Sequence, residues 1–124
     1  MKLTLLVVLV SLSFGISAMD KTAKLIDDLI LKKNFAIELW EPRGLNPSRP
    51  EVILSLEKTT NDFLKSLRHI HLNSDFTKDL RKSNIQTLVD NLPWSDFDTE
   101  EREFLADTIA PAIESMGFDP WSII

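Results

Sequence analysis

The chain has 124 residues, no cysteine, and 19 acidic against 14 basic side chains, for a net charge of −5. That balance excludes nucleic acid as a ligand, because a polyanion needs a basic patch, and it speaks against an anionic membrane surface. Without cysteine there is neither a disulfide framework nor thiol chemistry, so stability has to come from packing.

Residues Met1 to Ala18 read as a secretory signal peptide. Lys2 precedes an apolar run from Leu3 to Leu12, and Ile16-Ser17-Ala18 ends on the small residue a signal peptidase accepts. A spanning helix needs about 20 apolar residues, and this run stops short of Asp20 and Lys21. Cleavage after about Ala18 is therefore expected, leaving residues 19–124 as one domain, secreted or periplasmic and not membrane-embedded. Loss of Lys2 makes that domain more acidic still. No cysteine follows the cut to carry a lipid, and Pro47 disqualifies Asn46-Pro47-Ser48 as a glycan acceptor. The absence of any cysteine for disulfides, together with that of a glycan acceptor, leans towards bacterial export.

The first helical pattern runs from about Asp20 to Trp40, with Leu25, Ile26, Leu29 and Ile30 on one face, continued by Ile37 and Trp40. Asn34 is a candidate break within it. Between Glu41 and Pro50 lie Pro42, Gly44, Pro47 and Pro50, which exclude regular helix and mark a long loop. Such a loop is either a plain connector or a place where function sits. A second helix is expected from there, with Ser48 as cap, Glu51 completing a capping box and Pro50 in the first turn. Its stripe is Val52, Ile53, Leu56, Phe63, Leu64, Leu67 and Ile70.

A third helix is expected near Asp75 to Leu92, carrying Phe76, Leu80, Ile85, Leu88, Val89 and Leu92, with a candidate kink at Arg81 to Asn84. Pro93 stops it. The fourth has the strongest signals. Asp98 caps, Glu101 completes the box, and Glu100, Glu101 and Glu103 suit the positive end of the helix dipole. Phe104, Leu105, Thr108, Ile109, Ala112, Ile113 and Met116 form its stripe, Gly117 is the left-handed stop, and Phe118 supplies the accompanying contact. Pro111 lies inside and predicts a kink. The fold class is all-α: a compact antiparallel bundle of about four amphipathic helices.

Chemistry-bearing patterns are sparse. His69 and His71 are the two histidines, and His71, Asp75 and Asp79 would share a face only of an unbroken helix, which Asn73-Ser74 interrupts. Asp96 to Glu100 lacks the turn glycine of a calcium loop. There is no Gly-x-Ser-x-Gly and no phosphate-binding glycine loop. No cofactor or metal is implied. Trp40, Trp94 and Trp121 all sit at helix ends beside Pro42, Pro93 and Pro120. They either anchor a partner or plug the helix ends with their indole N–H bonded to a loop carbonyl.

From Leu92-Pro93-Trp94 through Phe97 to Glu103 and on to Met116-Gly117, the chain resembles a group of short uncharacterised bacterial proteins grouped as a domain of unknown function. The resemblance covers about a third of the chain; it implies a small helical domain and carries no activity. The leading expectation is a non-enzymatic exported protein-binding module of inhibitor or immunity type, with Trp40, Arg43, Arg49, Trp94 and Trp121 as candidate partner contacts. One alternative is a carrier enclosing a small apolar ligand among Phe63, Leu67, Phe104 and Met116. The other is a small hydrolase or metal-dependent enzyme using His69 or His71.

Overall fold

The computed structural model describes residues 21–124, so the leader and its cleavage point lie outside the described residues. Among these the secondary structure is all helical, with no strand. Helix α1 covers residues 21–31, α2 Pro50–Leu72, α3 Lys78–Asp90 and α4 Thr99–Ser115. Short 3-10 turns occupy Ile37–Leu39, Glu41–Arg43, Trp94–Asp96 and Pro120–Ser122.

Helix α1 ends well before Trp40, because the chain turns at Asn34. Its side-chain amide donates to the Leu29 carbonyl at 2.7 Å and is itself buried. Phe35 and Trp40 then enter the core from irregular backbone, while Ile37, expected on the same apolar face, is left 64% exposed. Helix α2 matches its stripe, with Leu56, Phe63, Leu64, Leu67 and Ile70 all buried. Its start differs from expectation. Arg49 is the cap residue and its guanidinium has no acceptor to offer the helix amides, the Ser48 hydroxyl is engaged with Glu101, and Glu51 lies 3.4 Å from Arg49. Pro50 does open the helix, where its missing N–H costs nothing.

Helix α3 begins later than Asp75. Asn73 accepts the Asp75 amide at 3.0 Å in a tight turn, and Thr77 then caps through the Leu80 amide at 3.1 Å. The helix runs unbroken through Arg81 to Asn84, and Leu80 stays 44% exposed. Helix α4 has the reciprocal capping box of Asp98 and Glu101, and it continues through Pro111. Met116 caps its end, followed by Gly117 at φ 92° and the buried Phe118. That positive φ is a conformation side chains resist, so glycine is the residue that lets the chain turn off the helix.

Helix α2 packs against both α3 and α4. Ile26 of α1, Phe35, Trp40, Ile85 and Val89 of α3, and Phe104, Leu105, Ile109 and Ile113 of α4 join the α2 stripe in one apolar cluster. Two polar contacts place α1: the Thr22 hydroxyl donates to the Ser115 carbonyl at 3.0 Å, and Asp27 pairs with Arg68 of α2 at 2.9 Å. No helix among the described residues is long and apolar enough to cross a membrane.

Candidate functional site

The loop between α1 and α2 is a built feature rather than a slack connector. Trp40 anchors it, with its ring 1% exposed, its indole N–H donating to the Phe35 carbonyl at 3.0 Å and its edge on the Phe104 ring at 4.9 Å. Gly44 closes a turn at φ 73°, donating to the Glu41 carbonyl at 2.8 Å. Arg43, just before it, lies over the Phe104 ring at 4.4 Å and pairs with Asp107 of α4 at 2.7 Å. Further on, the Ser48 hydroxyl donates to the carboxylate of Glu101. The stretch from Arg43 to Ser48 is thus held to α4 at both of its ends.

Glu101 is the focus of this arrangement. It is 8% exposed, accepts the Asp98 amide at 2.9 Å through one oxygen and the Ser48 hydroxyl through the other, while its own amide donates to Asp98 at 2.8 Å. Closing an α4 cap and tethering a loop 53 residues away are one set of bonds. Between loop and helix start lies a cleft of about 460 Å³, with Asn46, Arg49, Asp96, Asp98 and Glu100 among its lining residues. Asp98 and Glu101 serve the cap; Asp96 and Glu100 stand exposed.

Four carboxylates, Asp96, Asp98, Glu100 and Glu101, line this cleft against one cation, Arg49. From Asp90 to Asp119 the chain carries nine carboxylates and a single cation, Arg102. The Arg102 Nε donates at 2.8 Å to the carbonyls of both Trp94 and Phe97, so its guanidinium is anchored on the turn before α4.

The five candidate contact residues do not form one patch. Trp40 and Arg49 border the same cleft, but Trp40 belongs to the core and, at 1% exposed, offers a partner almost no area. Arg43 is engaged with Asp107 and Phe104, whereas Arg49 is 80% exposed at the cleft edge. Trp94 is partly buried and donates to the Val89 carbonyl at 2.8 Å, the same bond to a carbonyl five residues back that Trp40 makes. Trp121 is 61% exposed on the last 3-10 turn, a segment that Gln86 of α3 holds through the Ile123 carbonyl at 2.9 Å. Sequence reasoning missed the Ser48–Glu101 pair. The box at residues 98–101 announced the local role of Glu101, but nothing local announces a partner so distant.

The alternative sites are dispersed. Helix α2 ends at Leu72, Asp75 sits in the turn beyond it and Asp79 in the first turn of α3, so His71, Asp75 and Asp79 share no helix face. Among the described residues no group of three or more His, Asp or Glu could hold a metal ion. Of the residues expected around an enclosed apolar ligand, Phe63 and Leu67 are buried in the core cluster and Met116 packs against it, while Phe104 borders a cleft of about 320 Å³ with Leu39, Arg43 and Pro111. His69 opens instead onto a separate cleft between α2 and α3. No protein-family model, curated protein or solved structure matches the chain, so the likeness noted over residues 92–117 gains no function from a relative.

Proposed function

We propose that this chain is an exported, non-enzymatic binding module that meets a basic partner protein at the acidic cleft beside the 45–49 loop. The observation that carries this reading is the pairing of a pre-organised loop with an excess of carboxylates. The loop is fixed on α4 by Arg43–Asp107 and Ser48–Glu101, and beside it Asp96 and Glu100 are exposed while the cap holds Asp98 and Glu101. A loop ordered before binding loses less entropy on association, and like-signed charge around a cleft steers an oppositely charged surface into it. An inhibitor or immunity role against a cationic effector fits both properties.

In this reading Met1–Ala18 is removed on export, and the four helices alternate in direction as an antiparallel bundle. Supporting that alternation, Thr22 near the start of α1 meets Ser115 at the end of α4, while Ser48 just before α2 meets Glu101 in the first turn of α4.

The test is capture of a partner from the native envelope fraction by the purified chain, compared with a D96N/E100Q variant. Both residues lie outside the capping box, so the fold is kept. A basic protein retained at low salt, released at high salt and bound about tenfold more weakly by the variant is the expected result. Capture indifferent to both salt and the two neutralisations would overturn the proposal.

A further inference from the structure

The second cleft, between α2 and α3, differs from the first in chemistry. It measures about 480 Å³, within the range of roughly 300–1,000 Å³ usual for small-molecule sites. Ile70, Phe76 and Leu88 contribute apolar surface, and Leu80, one turn before Asn84 and 44% exposed, extends the same face of α3. Lys65 and His69 lie one turn apart on α2, so both border the cleft from one helix face. Among the described residues Lys65 makes no ion pair and His69 no hydrogen bond. No carboxylate lines the cleft, although the chain has 19. An acidic protein has kept its carboxylates out of an apolar groove bordered by a cation.

We propose that this groove binds a free long-chain carboxylate, with the acyl chain along Ile70, Phe76 and Leu88 and the head group at Lys65 and His69. The ammonium supplies charge and hydrogen bonds to the carboxylate, and the imidazole N–H and the Asn84 amide are further donors. The groove opens to solvent, so a slender acyl chain can lie in it without the core parting. The site is independent of the acidic cleft at the α4 start.

The test uses the purified chain, isotope-labelled, titrated by NMR with sodium laurate below its critical micelle concentration. Saturable shifts centred on residues 65–70, 76 and 84–88 are expected, with Kd of roughly 1–100 μM. Lys65→Glu is expected to weaken binding about tenfold, since it sets like charges together at an exposed position that leaves the fold intact. Leu88→Glu, which sets a carboxylate in the path of the acyl chain, should abolish binding, and dodecyltrimethylammonium should fail to saturate. The D96N/E100Q variant should bind laurate as the parent does, which separates this proposal from the protein-binding one. Absence of saturable shifts, equal binding of the cationic amphiphile, or unchanged affinity in Lys65→Glu would overturn it. So would retention on phosphatidylglycerol vesicles in place of free laurate, or self-association through the same groove.

Discussion

Thr60 stands in the middle of α2 with no exposed surface, and its hydroxyl has no hydrogen-bond partner among the described residues. A buried hydroxyl left unpaired has lost its water without compensation, whereas valine fills nearly the same shape with nothing to satisfy. Thr60→Val is therefore expected to stabilise the fold by about 1 kcal/mol, read as a raised urea midpoint at unchanged slope. The position continues the four-residue spacing after Leu56, so its burial was legible from periodicity, but its polar type hid it in a stripe read as apolar. The tryptophans show the opposite balance. Their places beside prolines suggested both a rim and a plug, and the indole bonds of Trp40 and Trp94 to carbonyls within the chain belong to the plug.

At the scale of elements, α2 and α4 were legible because period and punctuation agree: Pro50 opens α2, and Asp98, Glu101 and Gly117 bound α4. Helix α1 was read too long because Ile37 and Trp40 continue a helix-like spacing, although Trp40 reaches the core from a turned chain and Ile37 stays exposed. The signal for the turn was Asn34, whose amide satisfies a carbonyl left open at the helix end. The box expected at Ser48 and Glu51 failed through competition, since the same hydroxyl is claimed by Glu101. A double-mutant cycle of Ser48→Ala and Glu101→Gln tests how far this bond couples the loop to α4. The expected coupling is about 1–2 kcal/mol in urea unfolding, with Glu101→Gln alone the costlier change because it also disturbs the cap. Additive single effects would mean that the loop is held by Arg43 and Trp40 without help from Ser48.

For the whole molecule, apolar periodicity anticipated the all-helical class, but composition did not show how the charge is distributed. The net value of −5 conceals a C-terminal third with one cation among nine carboxylates, and the other basic residues lie earlier in the chain. A total says nothing about sidedness; only the fold sets the start of α4 beside the proline-rich loop. Expression in a bacterial host should yield exported protein whose intact mass and first residue correspond to Met19, and a product that stays cell-associated with Met1 intact would count against export. The chain has no tyrosine, so its near-ultraviolet emission belongs to three indoles in three surroundings: sealed, half-covered and open. Collisional quenchers should reach Trp121 first and Trp40 only when the core opens, giving the protein a built-in optical record of whether its tail or its interior has moved.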